Sequence, residues 1–167
     1  MIVGKPVRVV AVAAAILIGG AAAYAAVPAI TADGVGDVEL GAKASKLKQA
    51  GLIKGLRDGC ELAPNTRTAK LKAPLQGQVN FTQTKPRRAN DIIVRGGAKA
   101  SGVGVGSSKH SIKVAFPHVK FDHGTENVFG ITLAKVPKSD GGKFQFAVDV
   151  GTKKVTLIGV PFIAFCE

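Results

Sequence analysis

Apolar and polar residues alternate most clearly near the C-terminus. Phe144, Phe146, Val148 and Val150 are spaced by two, with Lys143, Gln145 and Asp149 between them. Successive side chains on a strand point to opposite faces, so this spacing predicts a half-buried β-strand. The segment before it, Val128 to Val136, places Phe129, Ile131 and Leu133 on one face, and Ser139-Asp140-Gly141-Gly142 supplies a hairpin turn between the two. After Gly151-Thr152-Lys153 the chain runs from Lys154 to Phe165, with Val155 and Leu157 on the buried side. Three consecutive antiparallel strands follow from this pattern. Period two also marks Gln78 to Thr84 and the Ile-Ile-Val run within Asp91 to Arg95.

The N-terminal part has a different pattern. Asp37 to Leu40 is a short alternating entry ending at Gly41. Ala42 to Ala50 favours helix, with Leu47 and Ala50 on one face and Lys43, Lys46 and Lys48 off it. Gly51 is a natural helix stop, and Leu52 to Arg57 is compatible with a second short helix. The fold class expected is α+β: one or two short N-terminal helices on an antiparallel sheet of about four to six strands. Residues 26–36 are expected as a flexible lead-in to a single domain over residues 37–167.

An internal echo runs through that domain. Val38-Glu39-Leu40-Gly41 with Leu47 matches Val103-Gly104-Val105-Gly106 with Ile112 at a constant offset. In each case a short apolar strand reaches a glycine, and a helix-compatible stretch follows. Ser107 or Ser108 could cap the second helix, and Pro117 ends it. The echo predicts two helix-plus-sheet repeats with halves at 37–100 and 101–167.

The same segments carry a resemblance. Gly34-Val-Gly-Asp-Val-Glu-Leu-Gly41 and Gly102-Val-Gly-Val-Gly-Ser-Ser108 resemble the G-x-G-x-x-x-L-G and G-[IV]-x-V-G-S-[ST] openings of a family of small secreted proteins from high-GC Gram-positive bacteria, mostly without assigned function. Gly142 to Asp149 followed by Lys154 to Ile158 is similar to that family's closing hairpin. Ala42-Lys43 departs from the Met-Ser or Met-Thr of the pattern. A remoter resemblance is to the helix-helix-sheet repeats of β-lactamase inhibitory protein and of small outer-membrane assembly lipoproteins. It implies a fold and transfers no functional residue.

The first 25 residues change the context for everything after them. Lys5 and Arg8 precede an uninterrupted small-apolar run, and Ala23-Tyr24-Ala25 forms an A-x-A site. This is the three-part pattern of a signal peptide, and it predicts a mature chain beginning near Ala26. An uncleaved N-terminal anchor facing outward is the alternative. The destination expected is secreted or cell-wall associated, with membrane contact only through an uncleaved leader.

Without Lys5 and Arg8 the chain keeps 21 basic against 11 acidic residues, a charge of +10. Charge of that size favours an anionic cell-wall polymer or an acidic protein partner. The anion-binding candidates are Lys43, Lys46, Lys48, Lys54 and Arg57, grouped within 15 positions. With the only Tyr in the leader and no Trp, nucleic acid is disfavoured, because single-stranded sites stack bases on aromatic platforms. In an exported chain the two cysteines, Cys60 and Cys166, are expected to form one disulfide.

No catalytic constellation stands out. His118, Asp122 and His123 are the nearest approach to a metal site, but an extended segment would put the two imidazoles on opposite faces. The glycines of 102–106 lack a phosphate-loop ending, and no G-x-S-x-G elbow is present. The reading is therefore an exported, non-catalytic binding or envelope-associated domain without a cofactor. A small hydrolase or metal-dependent enzyme built on His118, Asp122 and His123 is the alternative.

Overall fold

The computed structural model describes residues 26–60, 66–137 and 143–165. The leader, the Ser139–Gly142 turn and Cys166 lie outside the described residues.

The order of elements runs twice. β1 (Gly34–Val35) and β2 (Val38–Glu39) form a two-stranded ribbon, followed by helix α1 (Ala44–Gln49). Four strands come next: β3 (Ile53–Asp58), β4 (Arg67–Leu71), β5 (Gln76–Phe81) and β6 (Ala89–Gly96). The sequence of elements then restarts with the ribbon of β7 (Lys99–Ala100) and β8 (Val103–Gly104) and helix α2 (Lys109–Ala115). Its four strands are β9 (Lys120–Asp122), β10 (Ile131–Pro137), β11 (Lys143–Asp149) and β12 (Val155–Val160). A single-turn helix, α3 (Glu126–Phe129), is inserted between β9 and β10.

All eight long strands join one antiparallel sheet in the order β3-β4-β5-β6-β12-β11-β10-β9. The fourth strand of each half meets the other at the centre, with Ile93 opposite Gly159. Because equivalent strands pair antiparallel there, a pseudo-two-fold axis passes between β6 and β12.

The repeat extends to single hydrogen bonds. Gly41 N donates to Ala89 O at 2.8 Å, and Gly106 N donates to Val155 O at 2.8 Å. Ala44 N donates to Arg87 O and Lys109 N to Lys153 O, which ties each helix start to the beginning of its fourth strand. Gly41 and Gly106 have φ of 76° and 86°, so both corners use the left-handed backbone that side-chain-bearing residues resist. Ser108 Oγ caps α2 by accepting from Ser111 N at 3.1 Å.

Helices α1 and α2 and both ribbons pack on one face of the sheet, here called the inner face. Val35, Val38, Leu47, Val103 and Ile112 are buried there against Val79, Phe81, Ile92, Val94, Phe146 and Ile158. Phe116 closes the core with edge and tilted contacts to Phe144 and Phe146. The opposite, outer face is covered only in part. Residues 161–165 turn back over it, burying Ile163 against Leu133 and Ala147, and Phe165 stacks on Phe129 at 4.5 Å.

Three expectations need correction. Leu52 to Arg57 is not a helix: it forms most of β3, which pairs with β4 through Ile53–Leu71 and Lys54–Lys70. Gly51 and Gly55 both hold positive φ, which breaks the helical path and leaves the edge pairing to decide. Residues 26–36 are built into the fold rather than leading up to it. Ile30 N donates to Lys99 O, and Ile30, Ala32 and Val35 are buried. The sheet has eight strands where four to six were expected, and the helices number three among the described residues, one of them in the N-terminal half. Sheet dominates, and the α+β description holds only in that coarser sense. The β10–β12 meander follows its expected pattern with two exceptions. Phe129 belongs to α3 and not to the strand, and a bulge in β12 opposite Ala147–Val148 leaves Val155 on the inner face but puts Leu157 on the outer one.

Candidate functional site

Register partners share a face, so following one register across the sheet identifies a row of side chains. Starting at the β3 edge, Lys54 pairs with Lys70, Lys70 with Gln78, and Gln78 with Ile93. Ile93 pairs with Gly159, Gly159 with Gln145, Gln145 with Lys135, and Lys135 with Lys120. The row is unbroken over all eight strands and lies on the outer face. It reads lysine, lysine, glutamine toward the centre from either edge. At about 4.8 Å between strands, the row is about 34 Å long and its inner lysines, Lys70 and Lys135, are about 24 Å apart.

All four lysines are exposed. Among the described residues only Lys135 of the four forms an ion pair, to Asp122 Oδ2 at 2.5 Å. Arg57 joins them on the same face through its pairing with Thr68, because a bulge between Lys54 and Arg57 resets the alternation. Lys143, two residues before Gln145, extends the C-terminal end of the patch.

Two hollows flank the centre. One, of about 320 Å³, lies over β4 and β5 and is lined by Arg57, Cys60, Thr68, Gln78 and Asn80. Asp58 also borders it, with its carboxylate held by Arg67. The other, of about 200 Å³, is lined by Lys120, Lys135, Pro137, Lys143 and Gln145. Residues 161–165 form the ridge between them: Ile163 N donates to Gln145 Oε1 at 3.1 Å. Gly159 is required beneath that ridge, since a Cβ there would come within 2.3 Å of Phe162 O.

Asp91 lies next to the first hollow and is 3 % exposed. Its carboxylate accepts from Asn80 Nδ2 at 2.6 Å and from Asn90 Nδ2 at 3.3 Å. Burial pushes its pKa up, and the two amide donors act against that shift.

The structure separates the five anion-binding candidates. Lys43, Lys46 and Lys48 are exposed on the turn into α1 and on α1 itself, on the inner-face side of the sheet. Lys54 and Arg57 sit on β3 and face the other way. The group of five that is close in sequence is therefore divided between two surfaces. Lys70, Lys120 and Lys135 were not singled out. Each lies at an alternating position of a strand, but no periodicity in one strand reveals which strands stand side by side.

The proposed metal ligands do not gather. His118 is in the α2–β9 connection, lining a separate apolar hollow with Phe116 and Val136. Asp122 is engaged by Lys135 and by Gly124 N, whose hydrogen bonds hold its carboxyl below the usual range. His123 Nδ1 is 2.6 Å from Glu126 Oε1, and Glu126 is also bonded by Thr132, which lowers its pKa. Among the described residues no three His, Cys, Asp or Glu side chains converge as a metal site. Cys60 is half-buried at the rim of the first hollow, and the expected Cys60–Cys166 bond falls partly outside the described residues.

Comparison with protein-family models, with curated proteins and with solved structures finds no match to this chain.

Proposed function

We propose that this chain is an exported, non-catalytic module that holds an anionic polymer against the outer face of its sheet. The observation that carries this reading is the Lys54–Lys70 and Lys135–Lys120 row, with lysine pairs at both edges of one register. The export signal in residues 1–25 and the charge of +10 that remains after its removal support it. Lysine heads are strongly hydrated point charges on flexible stems, suited to phosphate or carboxylate groups at loosely defined positions. Binding is therefore electrostatic, tolerant of ligand detail and weakened by salt, since exposed charges are screened beyond about 8 Å at physiological ionic strength.

Two triple variants test this, because both change the net charge equally. Lys54→Glu/Lys70→Glu/Lys120→Glu alters the row, and Lys43→Glu/Lys46→Glu/Lys48→Glu alters the α1 side. On immobilised polyphosphate the wild type should elute at a salt concentration that the α1 triple nearly matches, while the row triple should elute far earlier. Equal elution of all three proteins would reduce the charge to a solubility role. Early elution of the α1 triple alone would place the binding surface on the helix.

A further inference from the structure

Resting on the reading above, we infer that the outer face is a bivalent site: two half-sites, one per repeat, engaged at once by a single linear polyanion. Charge is concentrated at the two ends of the row and is absent from its centre, where Gln78, Ile93, Gly159 and Gln145 stand. The two ends are related by the axis between β6 and β12. Lys54 corresponds to Lys120, Lys70 to Lys135 and Gln78 to Gln145. The hollows beside the two ends are not equivalent: Lys120, Lys135 and Lys143 line the second, whereas Arg57 is the basic residue lining the first. It is the lysine pairs that repeat, and the ridge of residues 161–165 stands between them.

A compact anion engages the lysine pair at one end and leaves the other pair free. A chain has to pass over the ridge to reach both, so it must span about 24 Å from Lys70 to Lys135 at strand spacing. Below that length each molecule gains one set of contacts. Above it the second contact becomes intramolecular, and avidity rises by a factor of about 10² or more without any new kind of interaction. The ligand chemistry assigned is therefore a linear polymer with anionic groups repeated along its length, and a single small anion is not the natural occupant.

The test is a titration of the mature protein with tripolyphosphate and with linear polyphosphate just long enough to cover the span. Affinity would come from calorimetry and location from backbone amide shifts. Tripolyphosphate should bind twice, shifting amides around Lys54/Lys70 and around Lys120/Lys143 as separate sets. The spanning chain should bind once, shift both sets and hold at least about 10²-fold more tightly. Lys54→Glu/Lys70→Glu and Lys120→Glu/Lys143→Glu should each remove one tripolyphosphate site and return the long chain to single-site affinity. A spanning chain that binds no more tightly than tripolyphosphate, or complete loss of binding in either pair variant, would overturn bivalency while leaving a polyanion-binding face. Failure of the wild type to bind either probe would overturn that face as well.

Discussion

Three equivalent sheet positions are filled in opposite ways by the two halves of the molecule. In the first half Thr68, Asn80 and Asp91 stand side by side on the outer face. At the corresponding positions of the second half stand Leu133, Ala147 and Leu157. The backbone repeats, so the difference follows from what lies above each trio. Residues 161–165 turn back after β12 and give Leu133 and Ala147 an apolar partner in Ile163. After β6 the chain crosses instead to the second ribbon, and the first trio borders an open hollow. Polar groups at that place are satisfied within the sheet: Asn80 and Asn90 donate to Asp91, and Thr68 Oγ1 donates to Val79 O. A repeated scaffold thus keeps its inner face constant and allows its outer face to diverge.

If the inner faces are equivalent, truncating their matching anchors should cost the same. Leu47 on α1 and Ile112 on α2 are both buried in the main core. Leu47→Ala and Ile112→Ala should each destabilise by about 2–5 kcal/mol, from lost transfer energy and the cavity left behind. Denaturant unfolding of the two variants measures this. A cost confined to one half would mean that the other helix is docked loosely and that the symmetry is only topological.

The outer-face ridge should make the halves respond differently. Gly159→Ala puts a methyl group where Phe162 O and Ile163 Cγ1 already lie, at 2.3 and 2.6 Å. The ridge has to lift or the strand has to shift, at a cost of about 1–3 kcal/mol. Lifting would expose Leu133 and Ala147, so the variant should bind a hydrophobic dye that the wild type does not. Its row counterpart, Ile93, already carries a side chain in the first half. A Gly159→Ala protein as stable as wild type, with no gain in dye binding, would show that residues 161–165 do not cover this face in solution.

Much of the inner-face organisation could be read from the chain because it depends on short-range pattern. The β10–β11 alternation, Leu47 and Ile112 as helix anchors, and the matched corners at Gly41 and Gly106 are all local in sequence, whereas the β12 bulge that separates Val155 from Leu157 is not. The outer face was illegible for the converse reason. Lys54 and Lys120 belong to one row only because β6 pairs with β12, across more than 60 positions of chain. The same blindness turned Leu52 to Arg57 into a helix. Apolar residues at 52, 53 and 56 suit a helix as well as an edge strand, and the choice was made by β4. The α1 lysines were visible as a cluster because they are close in sequence, whereas the row of lysines on the sheet is close only in space.

The smallest expected effect concerns the charge buried in the polar trio. Asp91 has a raised pKa because burial disfavours its ionised form. A carboxyl with a native pKa above its unfolded value holds its proton more readily when folded. The native state therefore loses stability as pH climbs from the ordinary value of 3.8 through the raised one, and the full penalty persists above it. Asp91→Asn removes the ionisation and still accepts from Asn80, while Asn90, exposed and free to rotate its amide, can offer its oxygen to the new amide group. The variant should melt above the wild type at neutral pH, and the gap should close as the pH is lowered below about 4. Asp122, Glu126 and Asp149 have lowered pKa values and weaken both proteins together in acid, so their effect cancels from the difference. A gap that stays constant with pH would trace the effect to packing rather than to charge. A lower melting temperature at every pH would mean that Asn80 and Asn90 require both carboxylate oxygens, making the trio a hydrogen-bond clamp as rigid as the apolar trio across the axis.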